Sequence, residues 1–544
     1  MTSFLRKHWP CWVSLIILWM VILILLWLVV WLNQGHLIYA LDDAYIHLAI
    51  AKNLSQHGVW GVSQYGFSSA SSSLLWTVLL TGCNIVFSVS NLTPFILNII
   101  FSLSLVILVY AFLKQYIKNN FFIFGTLLLV VFAAPLPSLI FSGMEHILHI
   151  ILSLAFLCLA VNFLTSESNN KYRYCLLAMA PFLAAVRYEG LILIGIIAIL
   201  LLFKRQYSFA LSMMALAFLP LVVFGLVSLY HGWYFLPNSI LLKSNAIVWS
   251  PYFSNYHNIF LFFQALLFGD NEWKLHLFGL MLLSLIIILS QSVLPKNKLT
   301  KTAILYNLVF LLTAILHLIF GRLGWFYRYE AYLLVVGLAV ASISVVPMIK
   351  YLYCESSKTK LILSGIVYFL LTAVFITSIW RGLISFISAP IGTTNIYQQQ
   401  YQMGLFVKKF YSGHAIALND IGAVDYLSEP RVFDIWGLAN MDTAKLRLRG
   451  HYTAAKIDVL TKNNDIEIAI VYDAWLRNKN TDVMPLSWTK VGQWKILHNI
   501  TCGDDTVSFY AVAPTAKDDL INSLRIFSRD LPSAVQQSGV YLQY

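Results

Sequence analysis

Charged residues are scarce in this chain, and acidic residues are scarcest in its first 390 positions. Only 11% of the 544 residues are Asp, Glu, Lys or Arg, against about 25% in a typical soluble domain. A mean hydropathy of +0.75 accompanies this shortage of charge. With 59% apolar residues, the chain has more apolar surface than a soluble fold can bury. These figures exclude a soluble protein.

Several common site motifs are also absent. The six cysteines are scattered singly and form no CxxC pair, which argues against a zinc site and a disulfide framework. No Gly-rich phosphate loop, HExxH or GxSxG motif stands in a suitable context. Any group that the chain transfers is therefore expected on a donor carried in the membrane.

Long apolar runs are what the chain has instead. They predict about eleven membrane-spanning helices, near residues 12–32, 94–113, 120–139, 145–164, 174–186, 190–203, 207–230, 274–294, 302–320, 329–348 and 360–380. Residues 74–90 are also apolar, but a span there would move the later basic loops to the wrong side, so we predict an interfacial helix. Residues 33–93 then form one long external loop.

The net charge of +12 comes entirely from the membrane half. Residues 1–391 hold 21 basic and 9 acidic side chains, whereas residues 392–544 hold 15 of each. The basic residues recur in alternate loops, which assigns those loops and the N-terminus to the cytoplasm. This distribution argues against nucleic acid as a partner and predicts residues 392–544 on the opposite side.

Residues 392–544 differ in pattern from the membrane half. The apolar runs 415–418, 431–435, 466–472 and 507–512 have the length of strands, and residues 452–462 and 517–528 have a helical pattern. We predict a polytopic α-helical membrane protein in residues 1–391, followed by a soluble extracytoplasmic α/β domain in residues 392–544.

Two adjacent acids, Asp42 and Asp43, follow the first span by about ten residues. Either could simply cap a helix that begins at Ala44. Alternatively, a carboxylate at this position can accept a proton from an attacking sugar hydroxyl, or hold a divalent cation through its oxygens. Two neighbouring acids could divide these roles.

Charges of both signs are predicted at the outer helix ends. The acids are Asp42, Asp43, Glu145, Glu189, Asp270, Glu272 and Glu330. The isolated bases are Lys52, Arg187, Lys243, Lys274, Arg322, Arg328 and Arg381. An outer site with both signs can hold an anionic ligand and carry out acid–base chemistry. Glu145 either belongs to such a site or favours the N-terminus of its helix electrostatically.

The isolated bases have alternative uses. Arg187 either pairs with Glu189 across a turn or binds phosphate through its fork of donors. The other candidate phosphate-binding bases, which could instead anchor the chain at lipid headgroups, are Lys243, Arg322 and Arg328. The nearby aromatic residues are expected in the interfacial belt rather than in a sugar-binding platform; they are Trp325, Tyr327 and Tyr329.

Short segments spread over nearly the whole chain form an ordered set. They are LDDAYI at 41–46, AKNL at 51–54, GFSS at 66–69, LW at 75–76, SGME at 142–145, RYEG at 187–190, LPNS at 236–239 with Lys243, YRY at 327–329 and DIWGL at 434–438. Their order resembles the GT-C superfamily of integral-membrane glycosyltransferases, most closely the branch that contains the mycobacterial terminal β-arabinofuranosyltransferases.

The resemblance implies a polyprenyl-phosphate-linked sugar donor, and transfer on the outer face of what is expected to be a bacterial inner membrane. The base would be Asp42 first and Asp43 second. Binding of donor or acceptor would involve Glu145, Arg187, Glu189, Asn238, Lys243, Arg322, Tyr327 and Arg328. We predict an inverting glycosyltransferase with a glycan, lipid or protein acceptor, embedded among membrane lipids. The residues assign no metal ligand and no cofactor, although a divalent cation stays open.

The chain departs from the family pattern at two positions. Ala49 stands where the family often has Arg, and Tyr188 stands in place of Pro. The Trp-Trp-Asp motif of oligosaccharyltransferases is absent, which argues against asparagine glycosylation. Two other classes stay open: a transporter or lipid flippase, which would place charges at mid-bilayer, and a non-catalytic subunit of a cell-envelope assembly complex.

Overall fold

The computed structural model describes residues 6–165, 170–243, 274–290, 298–353, 358–478 and 481–543. Helices dominate up to residue 410 of this described part: α1 Trp9–Leu32, α2 Asp42–His57, α3 Leu74–Phe87, α4 Thr93–Tyr116, α5 Asn120–Ala133, α6 Leu136–Ser142, α7 His146–Thr165, α8 Asn170–Val186, α9 Gly190–Phe203, α10 Tyr207–Tyr230, α11 Asn238–Lys243, α12 Lys274–Leu289, α13 Lys298–Phe320, α14 Ala331–Tyr353, α15 Lys358–Ile396 and α16 Gln402–Phe410.

Helix α1 shows why these segments lie in a membrane. Its buried residues Leu18, Ile22 and Leu25 recur every three or four positions and pack against the other helices. Its opposite face is apolar too, with Trp27 and Trp31 65% and 67% exposed. A helix that is apolar on all sides and open on one side suits lipid rather than water.

Eight helices in the described part are long and apolar enough to cross a membrane, so the chain is a multi-pass membrane protein. The predicted spans 190–203 and 274–294 correspond to the shorter apolar helices α9 and α12, and 174–186 corresponds to α8. Residues 74–90 contain the 14-residue helix α3, which packs against α2.

The C-terminal part contains a six-stranded sheet. The elements are β1 Ala415–Leu418, α17 Gly422–Ser428, β2 Arg431–Asp434, α18 Met441–Leu448, α19 Ala454–Asn463, β3 Ile468–Val471, α20 Asp473–Leu476, β4 Arg477–Asn478, β5 Thr481–Asp482, β6 Thr489–Lys495, β7 Thr506–Ala511, α21 Lys517–Phe527 and β8 Gln536–Gly539. The strand order is β2-β1-β3-β7-β6-β8. Strands β1, β2 and β3 are parallel, whereas β7, β6 and β8 are antiparallel. The predicted fold class, a polytopic helical protein with a C-terminal α/β domain, is confirmed.

The boundary between the two parts lies inside a helix. Helix α15 runs through residue 391 without a break and continues by the π-helical turn Tyr397–Tyr401 into α16. The change of composition at residue 392 therefore marks a change of surroundings along a continuous helical segment. The C-terminal domain is attached to the membrane part without a flexible linker.

Helix α2, from the long loop after α1, also joins the two parts. Ile46 and Ile50 of α2 belong to the same apolar cluster as Val424 of α17. Lys52 of α2 pairs with Glu429 at the end of α17. The two adjacent acids thus begin a helix that is packed between the membrane helices and the C-terminal domain.

Candidate active site

Asp43 lies in the first turn of α2 between two cationic side chains. Its Oδ1 accepts a hydrogen bond from Nζ of Lys243 at 2.9 Å, and its Oδ2 accepts one from Nη2 of Arg328 at 2.6 Å. Burial alone would raise the pKa of this carboxyl, but the two cations outweigh burial and hold the pKa well below its ordinary value. Asp43 is therefore ionised at physiological pH and is a weak base.

Asp42 contacts the C-terminal domain instead. Its Oδ2 and Oδ1 accept the backbone N–H groups of Gly422 and Ala423, each at 2.7 Å. These are the first residues of α17, so Asp42 caps a helix that follows it by 380 positions. The N-cap of α2 itself is Leu41, and no side chain caps it. The simple capping interpretation of the Asp pair is therefore wrong for α2.

A third carboxyl, Asp420, lies next to Asp42. Burial, followed by repulsion from Asp420, raises the pKa of Asp42 well above its ordinary value, although the two backbone donors oppose this rise. Asp420 Oδ2 accepts hydrogen bonds from Nε2 of Gln400 at 2.8 Å and from the hydroxyl of Tyr472 at 3.1 Å. The two neighbouring acids of the motif thus have opposite surroundings.

Arg187 is held by two carboxylates. Its Nη1 donates to Glu145 at 2.8 Å, and its Nη2 donates to Glu189 at 2.6 Å. Glu145 is fully buried and holds Arg187 without bordering a described cavity. The structure thus shows the predicted Arg187–Glu189 pair and adds Glu145 as a second partner.

Arg328 has N–H groups that donate no hydrogen bond within the described part of the chain. Its guanidinium stacks on the ring of Tyr329, 4.8 Å from the centroid, and Arg187 lies 5.3 Å from the same ring. Arg328 is only 3% exposed, yet its Nε and Nη1 have no hydrogen-bond partner in the described part of the chain. A buried charged group with unpaired donors is costly, and a bound anion would satisfy these donors.

The loop that carries Arg328 has a strained backbone and is held by a buried ion pair. Residues 325–327 have φ values of 42°, 59° and 64°, a conformation that costs non-glycine residues about 1–3 kcal/mol each. Glu330, just after the loop, accepts from Nη2 of Arg381 at 2.6 Å and from the backbone N–H of Gly324 at 2.7 Å. Glu330 and Arg381, predicted among the outer charges, therefore form a buried pair that fixes this loop.

Two cavities meet at Asp43. The charged cavity, of about 260 Å³, is lined by Asp43, Arg187, Glu189, Lys243, Arg322 and Arg328 together with apolar side chains. The second cavity, here called the tryptophan cavity, has a volume of about 250 Å³ and is lined by Asp42, Trp325, Asn419, Asp420, Trp436 and Trp475. The residues that line both cavities include Asp43, Lys243, Arg322, Arg328 and Tyr329. In the charged cavity, four cationic side chains face two carboxylates, so its field favours an anion.

Some predicted site residues have other roles. Asn238 is fully buried and donates to the backbone oxygen of Gly437 at 2.8 Å, and Tyr327 is buried with its hydroxyl 3.0 Å from Ser388. Neither borders either of the two cavities, so the structure gives both a packing role, and their contact with substrate stays a prediction. Asp270 and Glu272 lie outside the described residues.

The aromatic residues of this loop also differ from expectation. Tyr327 is buried, Tyr329 borders both cavities, and Trp325 borders the tryptophan cavity. The predicted interfacial belt is therefore wrong for Tyr327 and Tyr329, because the loop folds inward over the buried Glu330–Arg381 pair. Trp325 remains 51% exposed.

Sequence reasoning missed Asn419, Asp420 and Trp475. A signal was available, because each follows the end of a predicted strand, where ligand-binding residues of parallel α/β sheets gather. His47 was missed as well. It borders the charged cavity, and its ring is hydrogen-bonded to Thr77 at 2.9 Å.

The donor set does not suit a divalent cation. Within the described residues, no group of three or more His, Cys, Asp or Glu is placed to share a metal ion. Both oxygens of Asp43 are engaged by cationic side chains, and both oxygens of Asp42 by backbone N–H groups. A hard cation would have to displace these partners to gain oxygen ligands.

The chain is similar to one family model over part of its length and to solved structures over most of it. A family model described as a domain of unknown function (DUF8728) matches residues 394–510, which lie largely in the C-terminal domain. None of the curated proteins matches the chain. Among solved structures, the chain is similar to the crystal structure of ArnT from Cupriavidus metallidurans bound to undecaprenyl phosphate, with 12% sequence identity over 93% of this chain and 98% of that chain and a TM-score of 0.48. A likeness this remote leaves the function to the geometry of the site.

Proposed function

We propose that this chain is a GT-C-type glycosyltransferase that moves a sugar from a polyprenyl-phosphate-linked donor to an acceptor hydroxyl, with inversion at the anomeric carbon. The observation that carries the proposal is the charged cavity, where the unpaired donors of buried Arg328 adjoin Asp43 at the junction with a second cavity. A guanidinium with free donors suits a phosphate ester. The ordered motifs favour the arabinofuranosyltransferase branch, and the transferred sugar is a hexose or a pentose.

The donor would occupy the charged cavity. Its phosphate would contact Arg328 and Lys243, and its lipid would pass the apolar side chains Met144, Ile192 and Phe320, which line the same cavity. Negative charge grows on the phosphate as the bond to the anomeric carbon breaks, and fixed cations stabilise that charge. Asp43 orients Lys243 and Arg328 through its two hydrogen bonds.

The acceptor would occupy the tryptophan cavity, with Asp42 as the general base. The raised pKa of Asp42, caused by burial and by Asp420, makes it a stronger proton acceptor than Asp43, whose pKa two cations hold low despite its burial. The acceptor oxygen attacks the anomeric carbon, its proton moves to Asp42, and the lipid phosphate leaves with the bonding electron pair. A phosphate needs little protonation to leave, so a separate acid is unnecessary.

The placement of the charges argues against a transporter. Asp43 lies in the first turn of α2, Lys243 ends α11, Arg187 lies between α8 and α9, and Arg328 precedes α14. All four stand at helix ends, whereas transporters carry their sites at interruptions near the bilayer midplane.

Sugar transfer from a polyprenyl-phosphate donor in proteoliposomes tests the proposal. We expect Asp42→Asn to lose about 10²–10⁴-fold in turnover, the usual contribution of a general base. Asp442→Asn, which changes an exposed acid of the C-terminal domain, is the matched control and should retain full activity. Full activity of Asp42→Asn would remove Asp42 as the base. Failure of the wild type with every polyprenyl donor, together with lipid scrambling, would favour the transporter instead.

A further inference from the structure

Three indole rings converge on the tryptophan cavity. Trp436 and Trp475 come from the C-terminal domain, and Trp325 comes from the strained loop before α14. The ring centroids of Trp436 and Trp475 lie 4.5 Å apart, with the ring planes inclined by 50°. Two indole rings in contact with each other thus form part of the lining of the cavity that Asp42 also borders.

The two indoles of the C-terminal domain are held in place by their own contacts. The guanidinium of Arg447 lies 3.5 Å from the centroid of the Trp436 ring and donates to the backbone oxygen of Trp436 at 2.8 Å. Asp434 accepts the backbone N–H of Trp436 at 2.7 Å. Trp475 donates through its Nε1 to the backbone oxygen of Gly503 at 3.1 Å. These contacts pre-organise the rings, which lowers the entropic cost of ligand binding.

The rings stand where the fold gathers ligand-binding residues. Asn419 and Asp420 follow β1, Trp436 follows β2, and Trp475 follows β3. These three strands are parallel, so all four side chains come from the segments that follow the strands at the carboxyl edge of the sheet. The C-terminal domain therefore turns its ligand-binding edge towards the membrane half.

The polar groups that the C-terminal domain and Asp42 contribute to the tryptophan cavity suit a neutral ligand. The three cations of the tryptophan cavity are all shared with the charged cavity. The rest of its lining includes the carboxylates of Asp42 and Asp420 but no Lys or Arg side chain, so this part of the cavity disfavours an anionic ligand. Asn419 is 4% exposed, and its Nδ2 has no hydrogen-bond partner in the described part of the chain. Sugar rings offer an apolar C–H face for aromatic rings and hydroxyl groups for carboxylates and amides.

We infer that the tryptophan cavity binds a neutral carbohydrate, with one sugar ring on the Trp436–Trp475 pair and its hydroxyl groups at Asn419 and Asp420. The role of this carbohydrate as acceptor rests on the proposed transferase function, whereas its binding does not. The inference narrows the acceptor to a glycan and sets aside the lipid and protein alternatives.

Binding of fluorescently labelled neutral oligosaccharides to the full-length protein in nanodiscs tests this inference without any donor. The panel contains four- to six-unit chains that end in arabinose, galactose, mannose or glucose. We expect the wild type to bind at least one of them, and Trp436→Ala and Trp475→Ala to weaken that binding at least tenfold. Trp436→Phe and Trp475→Phe keep an aromatic face and should lose less than threefold. Trp380→Ala removes an exposed indole of α15 that borders neither cavity and should bind like the wild type.

Undecaprenyl phosphate binding serves as the folding control, because the Trp variants leave the charged cavity intact. No binding of any oligosaccharide by the wild type at millimolar concentration would overturn the inference. Wild-type binding by both alanine variants would overturn it as well. Oligosaccharide binding without sugar transfer would contradict the proposed function alone, whereas transfer onto a lipid acceptor without oligosaccharide binding would contradict this inference alone.

Discussion

Two aspartates that are adjacent in the chain have opposite electrostatic surroundings. Asp43 faces two cations that outweigh its burial and lower its pKa, whereas burial and Asp420 raise the pKa of Asp42. Pairs of acids whose environments separate their pKa values commonly divide a proton-transfer role from an electrostatic role. Such a division matches Asp42 as proton acceptor and Asp43 as the group that positions Lys243 and Arg328.

The sequence could identify this pair but not its division of roles. The scarcity of acids in the membrane half made Asp42 and Asp43 conspicuous, and the bases around them were also recognisable at predicted helix ends. Asp420, however, is 378 residues away from Asp42 along the chain, and only the packing of α2 on α17 brings the two together. Contacts over such a separation have no local pattern that a single sequence displays.

Replacing Asp420 should change the pH dependence of sugar transfer. Under the proposed mechanism, transfer requires ionised Asp42, so the rate should fall as the pH drops through the pKa of Asp42. That pKa lies above its ordinary value because of burial and then Asp420. Asp420→Asn removes the repulsion but keeps a polar side chain, so we expect the acidic limb of kcat/KM to move to lower pH.

The pH profile of Asp442→Asn, which changes an exposed acid of the same domain, provides the reference. It should coincide with that of the wild type. An acidic limb that stays in place in Asp420→Asn, or that moves to higher pH, would show that Asp42 does not set it.

Replacing Arg328 by Lys should weaken binding of the donor phosphate. The charge is kept, but the planar fork, the stacking on Tyr329 and the spare donors Nε and Nη1 are lost. We expect undecaprenyl phosphate to bind about tenfold more weakly, a loss of about 1.4 kcal/mol. Lys445→Met removes an exposed cation of the C-terminal domain and should leave binding unchanged. Equal affinities of Arg328→Lys and the wild type would place the phosphate elsewhere.

At the scale of elements, the helices and strands that the sequence predicted were those with an uninterrupted apolar run. Long apolar runs predicted the membrane helices, and four short runs predicted β1, β2, β3 and β7 to within two residues. Strand β6 was missed because a register shift between Lys490 and Gly492 breaks its alternation. The predicted domain boundary at residues 391/392 falls within α15, because polarity changes along this helix while its backbone stays helical.

The contact between α2 and α17 depends on a glycine, Gly422, at the first position of α17. A Cβ at Gly422 would lie 2.1 Å from the backbone oxygen of Asp42 and 2.7 Å from its Oδ2, so Gly422→Ala must push the two helices apart. We expect Gly422→Ala to lose at least tenfold in transfer activity. Limited proteolysis should cleave the chain faster near α2 and α17, while the rest of the C-terminal domain stays folded.

Gly365→Ala is the matched control, because a Cβ at Gly365 of α15 meets no atom within 4 Å. It should behave like the wild type. Undiminished activity of Gly422→Ala would mean that the site does not need Asp42 held against the C-terminal domain.

At the scale of the whole molecule, the site requires parts that the chain places far apart. The charged cavity is built mainly from the ends of membrane helices, and the tryptophan cavity is completed by loops of the C-terminal domain. Helix α15 leads through the π-helical turn Tyr397–Tyr401 into α16, and the two cavities share Asp43 in their linings. A donor held in the membrane and an acceptor that approaches from outside can then meet at one carboxylate pair.

This arrangement works only if the C-terminal domain and the basic loops lie on opposite sides of the membrane. Lys118, exposed between α4 and α5, belongs to a basic loop, and Leu486 of the C-terminal domain is 95% exposed. In a background without native cysteines that retains activity, Lys118→Cys should react with a membrane-impermeant maleimide only in inverted vesicles, because basic loops face the cytoplasm. Leu486→Cys should react only in right-side-out vesicles. Labelling of both positions from the same side would contradict an odd number of membrane crossings between residues 118 and 486. Reversed labelling of both positions would place the cavities at the cytoplasmic surface, where transfer at the outer face could not occur.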